Sequence, residues 1–198
     1  MLNLYRSLAL LLAMMTWVTS LSRADEVTYW NGLLLNAIRV SSTPPPKASR
    51  ALAMVQTAVY DAVNSIDRTH KPYALLLSTT ATASREAAAA QAAHDVLVSL
   101  YPTQASTFDT ALTQRLGLIA NGASKSDGIS VGSASASIIL GLRANDNSGL
   151  VVPYTPGNQP GDWRPTPPAN AAALLPNWPQ VTPWAMTSGS QFSNLATP

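Results

Sequence analysis

The sequence predicts an all-α fold, a bundle of about five helices followed by an extended, non-helical segment rich in proline and tryptophan. Apolar side chains recur at helical spacing within residues 25–150. Residues 151–198 hold 10 of the 15 prolines and three of the five tryptophans, and this density of proline excludes a helix or a central strand. A chain of 198 residues has room for one domain with an extension.

Two amphipathic stretches predict the first two helices. Residues 28–39 place five apolar side chains on one helical face, namely Trp30, Leu33, Leu34, Ala37 and Ile38. Prolines 44–46 break the chain and form a stiff lead into the next helix. Residues 47–66 then carry a broad apolar stripe, made of Ala51, Val55, Ala58, Val59, Ala62, Val63 and Ile66. The polar stretch 64–72 ends in proline and predicts a loop.

The next two helices follow from propensity and stop signals. Residues 84–100 are rich in alanine and predict a third helix, which Tyr101 and Pro102 end. Thr103 is the expected N-cap of a fourth helix, and Asn121-Gly122 is its expected end. The apolar face of that helix is formed by Phe108, Leu112, Leu116 and Ile119.

A fifth helix is predicted to open on a capping-box variant, Ser124-x-x-Asp127. Gly128, Gly132 and Ala136 lie along one ridge of this helix. Because these residues have almost no side chain, they predict close approach of a second backbone. The stretch from Asn145 to Gly149 is rich in turn-forming residues and ends the bundle.

The uncharged aromatic character of residues 151–198 separates them from typical disordered segments, which have few aromatic residues and high charge. No charged side chain follows Arg164. An extended strap lying across another surface is the expected structure, and that surface is either the bundle or a polypeptide outside this chain. The expected partner covers the strap tryptophans Trp163, Trp178 and Trp184.

Residues 1–24 predict a secretory signal peptide, with Arg6 before an uncharged apolar run at 8–18 and small residues at Ser22 and Ala24. A retained anchor is the weaker alternative, because a membrane span needs about 20 apolar residues. We therefore expect a secreted or periplasmic protein without membrane attachment after cleavage.

Arg6 and Arg23 account for the whole net charge of +2, so the mature chain is neutral and gives no electrostatic attraction to nucleic acid.

The residues that could carry chemistry all favour structural interpretations. His94 and Asp95 are adjacent, and neighbouring helical residues point about 100° apart, so they predict a pair on the helix surface. His70 predicts a solvated turn. Asp61 interrupts an apolar stripe and needs a partner, for which Arg50, Arg68 or helix-end amides are the expected candidates.

A metal site is also disfavoured by the sequence. The chain has no cysteine and two histidines, which excludes thiolate sites and a three-histidine zinc site. The segment from Asp146 to Gly149 lacks the bidentate glutamate that closes a calcium loop. The pattern therefore assigns no catalytic, cofactor-binding or metal-binding residue.

Four stretches in the same order resemble the N-terminal half of bacterial secreted vanadium-dependent haloperoxidase-like proteins, in the phosphatidic acid phosphatase type 2 superfamily. They are TYWNGLLLNAIRVSSTPPPKASRALAMVQTAVYDAVNSIDRTHKPY, HDVLVSLYP, KSDGISVGSASASIILGLRANDNSG and YTPGNQPGDWRPTPPANAAALLPNWPQVTPWAMTSGSQF. The resemblance implies a helical fold in which two helical bundles pack together. Members of the family bind vanadate or a phosphate ester through Lys-x6-Arg-Pro, Ser-Gly-His and Arg-x5-His motifs, whose cations neutralise the oxyanion.

The sequence departs from these family motifs. Arg164-Pro165 has Gly157 where the family has lysine, Ser188-Gly189 is followed by Ser190, and no histidine follows His94. The resemblance therefore implies a truncated haloperoxidase-like or acid-phosphatase-like protein that is inactive alone. No catalytic residue carries over, and vanadate is implied only for a full-length relative. The alternative is a stand-alone exported helical domain that binds a partner through its strap.

Overall fold

The computed structural model describes residues 25–192, and the predicted signal peptide at 1–24 lies outside them. The prediction of a helical bundle followed by a non-helical strap is confirmed. The described part contains five α-helices and no strand, with short 3-10 helices at Pro102–Gln104 and Trp178–Gln180. The α-helices are α1 Glu26–Val40, α2 Pro45–Asp67, α3 Arg85–Leu100, α4 Ala105–Gly117 and α5 Ala123–Arg143.

The alanine-rich helix α3 lies at the centre of the bundle, where it contacts the other four helices. Six of its alanines are buried, namely Ala87, Ala88, Ala89, Ala90, Ala92 and Ala93. Larger side chains from the surrounding helices complete the core, including Trp30 and Leu34 from α1, Met54 from α2 and Phe108 from α4. The central helix is thin because of its alanines, so its neighbours approach it closely.

Close approach is most pronounced between α3 and α5. A Cβ atom added at Gly128 would overlap the Ser84 carbonyl oxygen and lie 2.9 Å from Ala87 Cβ. One added at Gly132 would overlap the Ala88 carbonyl oxygen in the same way. The predicted small-residue ridge is therefore the surface on which α5 packs against α3. Ser135 extends the ridge toward α2 by donating a hydrogen bond of 2.8 Å to the Ala58 carbonyl.

Several predicted helix boundaries differ from the observed ones. Helix α2 continues to Asp67, so Asn64 is a buried helical residue instead of the start of a loop. Thr103 lies inside a 3-10 helix, and α4 begins without a side-chain cap. Helix α5 begins at Ala123 after Gly122, so the predicted capping box at Ser124 is wrong.

Asp127, the other member of that predicted box, accepts a hydrogen bond of 3.0 Å from the Thr80 hydroxyl. Asp127 therefore bonds to a distant residue and does not take part in the predicted capping box with Ser124. None of the described helices is long and apolar enough to cross a membrane.

We predict that Gly128→Ala destabilises the protein by about 1–3 kcal/mol, the usual cost of overpacking a core. The new methyl group meets backbone atoms of α3, which cannot move aside without shifting the helix. Gly141→Ala in the same helix is the matched control, because no atom lies within 4 Å of its added Cβ. Alanine is favoured over glycine in a helix by up to about 1 kcal/mol, so the control should be neutral or stabilising. Urea unfolding of both variants measures the difference, and equal effects would refute the packing argument.

Candidate functional site: the strap and its attachment to the bundle

The inner half of the strap, residues 175–186, is attached to the end of α5 by Arg143. Its Nη1 donates hydrogen bonds of 2.9 Å and 3.4 Å to the carbonyl oxygens of Thr182 and Pro183. Its guanidinium carbon lies 3.8 Å from the centroid of the Trp184 ring. Nη2 donates to the Tyr73 hydroxyl from the loop between α2 and α3. Arg143, Tyr73 and Trp184 therefore form a clasp that joins three segments of the chain.

Arg143 is only 4% exposed, and its contacts are carbonyl dipoles and aromatic faces. Among the described residues, no carboxylate forms an ion pair with it. A buried guanidinium over tryptophan is stabilised by about 2 kcal/mol or more when desolvated. Its Nε–H is buried without a hydrogen-bond partner in the described structure. The clasp is therefore a tightly enclosed structural contact.

A second attachment is built on the turn that follows α5. Arg50 of α2 donates through Nε to Asp146 Oδ2 at 2.7 Å and through Nη2 to the Arg143 carbonyl at 2.8 Å. The Asp146 carbonyl accepts a hydrogen bond of 3.0 Å from the Thr182 N–H. Burial opposes ionisation of Asp146, but hydrogen bonds from Arg50 and Ser148 hold its pKa below the usual range. The turn predicted here is confirmed, and it also anchors the strap.

Two asparagines complete the attachment. Asn177 is buried and donates a hydrogen bond of 2.9 Å to the Asn147 carbonyl. Asn147 donates a hydrogen bond of 3.0 Å to the Gln180 carbonyl. These bonds satisfy backbone carbonyls that have no helix or sheet to pair with. The inner half of the strap thus has a defined path over the bundle.

The outer half of the strap, residues 151–174, is much more exposed. Val151 is 92% exposed, Tyr154 44% and Trp163 42%. Tyr154 and Trp163 pack edge to face with ring centroids 5.6 Å apart. A cavity of about 360 Å³ lies between residues 150–154 and 172–177, and no charged side chain lines it. An exposed apolar surface with a cavity is typical of a site for a macromolecular partner.

The three strap tryptophans have different surroundings. Trp184 packs against the hydrophobic core of the bundle, and Trp178 is half-buried. Trp163 is the exposed one. The bundle itself therefore supplies part of the covering surface, and a partner that covers Trp163 stays a prediction.

His94 makes more contacts than the sequence indicated. Its Nδ1 lies 2.8 Å from Asp95 Oδ1, and its Nε2 lies 2.8 Å from Asp109 Oδ1 of α4. The expectation that His94 and Asp95 point apart was wrong, because the imidazole reaches back to its neighbour. Burial disfavours the charged imidazole, but hydrogen bonds to both carboxylates outweigh this effect and raise the His94 pKa.

Asp61 is bonded to a loop and to neither of the expected arginines. Its Oδ1 accepts a hydrogen bond of 2.8 Å from the Tyr73 N–H, and its Oδ2 accepts one of 2.8 Å from the Ala74 N–H. Amides are therefore the correct partner type, but they come from the loop between α2 and α3 instead of a helix end. This bond positions Tyr73 for the clasp. His70 is exposed, as predicted for a solvated turn.

The described residues do not fit the vanadate that the family resemblance implies. An oxyanion is bound by cations that are available to donate hydrogen bonds to it. His94 lies between two carboxylates, which repel an anion. Arg50 and Arg115 are paired with Asp146 and Glu26. Among residues 25–192, no group of three or more His, Asp or Glu side chains is arranged so that it could hold a metal ion.

Comparisons with known proteins found no match to any family model, curated protein or solved structure. Functional inference therefore depends on the residues of this chain.

We predict that Arg143→Met releases the inner strap and destabilises the protein by about 2 kcal/mol, since buried hydrogen bonds to a charged group contribute about 1.5–3 kcal/mol. Methionine keeps much of the side-chain length but has no donors for the carbonyls of Thr182 and Pro183. Limited proteolysis should show earlier cleavage within residues 175–186. Arg39→Met is the matched control on the exposed end of α1, and it should leave cleavage unchanged. Equal cleavage of both variants would contradict the clasp.

Proposed function

We propose that this chain is a non-catalytic helical unit of an exported haloperoxidase-like or acid-phosphatase-like protein, and that its outer strap binds a second polypeptide unit. The family part of the proposal rests on the resemblance of the four sequence stretches. The observation that carries the interface is the difference between the two halves of the strap. The inner half is held on the bundle by Arg143, while the outer half presents Tyr154, Trp163 and an uncharged cavity to solvent. In this proposal the second unit supplies the oxyanion-binding residues.

The chemistry of the outer strap favours a polypeptide partner over nucleic acid. Asp162 and Arg164 are its charged side chains, and they balance each other. Tyrosine and tryptophan are enriched at the centres of protein interfaces, where they enter apolar pockets. An apolar side chain of the partner fits the cavity beside Tyr154, and Trp163 projects toward the partner in return.

A stand-alone interaction domain is the second candidate, and one observation favours it. The bundle covers Trp184 and buries Asn177 with its own residues, so the inner strap needs no partner for its burial. Size-exclusion chromatography and thermal unfolding distinguish the candidates. A monomer with one cooperative transition favours the stand-alone domain, whereas soluble aggregates that disappear when a second unit is added favour the helical unit of a larger protein.

The decisive experiment uses the polypeptide encoded by the DNA that follows the Pro198 codon, in any frame. We expect it to contain Lys-x6-Arg-Pro and Ser-Gly-His motifs and to bind this chain in isothermal titration calorimetry. Tyr154→Ala with Trp163→Ala should weaken binding at least tenfold, since interface hot spots cost about 2 kcal/mol or more on truncation. This chain alone should not oxidise bromide with vanadate and peroxide.

Val40→Ala is the matched control, because Val40 is an exposed apolar residue of α1 and not part of the strap. It should bind the second unit with unchanged affinity. Absence of the two motifs from all downstream frames would refute the family proposal. Equal affinity of the strap double variant and the wild-type chain would refute the assignment of the outer strap as the interface.

A further inference from the structure

His94 stands out because both of its ring nitrogens face carboxylates. Nδ1 faces Asp95 on its own helix, and Nε2 faces Asp109 on α4, each at 2.8 Å. A neutral imidazole has one N–H, so it donates to one carboxylate and turns a lone pair toward the other. Only the protonated imidazolium donates to both. The arrangement is therefore fully satisfied in a single protonation state.

The two carboxylates are not held equally. Asp95 also accepts a hydrogen bond of 2.7 Å from Gln91 Nε2, and the Ser133 hydroxyl of α5 donates to it. The Asp109 side chain is 64% exposed, and His94 is its ion-pair partner. When the imidazole loses its proton, the N–H should stay with Asp95, whose position is fixed by these further bonds. The contact between α3 and Asp109 of α4 is then the one that breaks.

The other attachments of α4 lie at its middle and its C-terminal end. It buries Phe108 and Ala111, and Arg115 forms an ion pair with Glu26 of α1 at 2.5 Å. Glu26 also accepts a hydrogen bond of 3.0 Å from Trp30 Nε1. The Trp30 ring lies edge-on to His94, with the ring centroids 6.3 Å apart. Loss of the Asp109 contact therefore acts on a helix that is anchored at its middle and its end.

We infer that His94 is a protonation-dependent latch that docks α4 against α3, closed as the imidazolium and loosened as the neutral imidazole. The latch is distinct from the strap and does not depend on its function. The charged groups that contact the His94 ring are Asp95 on α3 and Asp109 on α4. Glu26 of α1 pairs with Arg115 of α4 and bonds to Trp30, whose ring packs edge-on against His94. Helix α5 contributes the neutral Ser133, which bonds to Asp95. Carboxylates outnumber cations here, and they favour the imidazolium.

The sign of the pH dependence follows from this environment. Burial alone lowers the pKa of His94, but the bonds to Asp95 and Asp109 raise it above the usual value. A group whose pKa is higher in the folded state contributes stability below its unfolded pKa and loses that contribution as the pH rises through its folded pKa. The latch therefore holds at a pH below the ordinary pKa of histidine and opens as the pH rises through the raised pKa of folded His94.

The test combines a titration with thermal unfolding of the untagged protein. In wild-type protein, NMR should show His94 titrating at higher pH than a histidine in an unstructured peptide. The amide signals of residues 105–117 and the Trp30 indole signal should shift with the same midpoint. His94→Gln should flatten the fall in melting temperature that the wild-type protein shows between pH 6 and pH 8.5, a fall of about 2–4 °C for a chain of this size.

His70→Gln is the matched control, because His70 is the other histidine of the chain and lies in an exposed turn. It should keep the wild-type pH dependence. Asp109→Asn should reduce the pH dependence while leaving His94 in place, because Asp95 still bonds to the imidazole. The latch is refuted if His94→Gln keeps the full pH dependence, or if α4 signals do not follow the His94 titration. The wild-type titration decides the question even if His94→Gln fails to fold.

Discussion

The close approach of α3 and α5 is the constraint on which the rest of the structure depends. Alanine buries little apolar area, so a helix built from alanine gains stability mainly through many close contacts at short range. Those contacts require Gly128 and Gly132 on the facing helix, where a methyl group would overlap backbone oxygens of α3. A spacing set by backbone contact leaves little freedom in the position of α5. The direction of α5 is therefore determined over its whole length.

That determined direction fixes the position of Arg143, the last residue of α5. Its carbonyl is bound by Arg50 from α2, and its guanidinium meets Tyr73 and Trp184. Tyr73 in turn is placed by its backbone bond to Asp61. The buried carboxylate, the loop between α2 and α3 and the strap are thus linked in one chain of contacts. Asp61 has a structural role in this chain, as a carboxylate bonded to two amides.

The sequence predicted well those features that repeat along one helix. Apolar periodicity located α1, α2 and α4, and the alanine content located α3. The spacing of Gly128 and Gly132 identified the surface between α3 and α5. Helix ends were predicted less well, because Ser124 and Thr103 satisfy a local capping pattern that the fold does not use. Asp127 instead bonds to Thr80, 47 residues away, and no local pattern contains that information.

The contacts at the strap and at His94 were missed for a related reason. Arg143 binds carbonyl oxygens and aromatic faces. These partners carry no charge, so no acidic residue in the sequence indicates what Arg143 contacts. The one available signal was a lone arginine at the end of an otherwise uncharged stretch of helix, 128–142, before an aromatic segment. For His94, the neighbouring Asp95 drew attention to the wrong geometry. The second carboxylate, Asp109, comes from another helix. Apolar periodicity predicts which face of each helix is buried, but not which residues of two helices lie opposite each other.

Tethering at both ends gives the outer strap a property that a free tail would lack. The Leu150 N–H bonds to the Asn147 carbonyl at its start, and Asn177 is buried at its end. Prolines between these points restrict φ and reduce the number of conformations available to the unbound chain. Binding a partner then costs less conformational entropy than ordering a flexible segment of the same length. The edge-to-face pair of Tyr154 and Trp163 is thus presented in a partly preorganised form, because the segment that carries it is held at both ends.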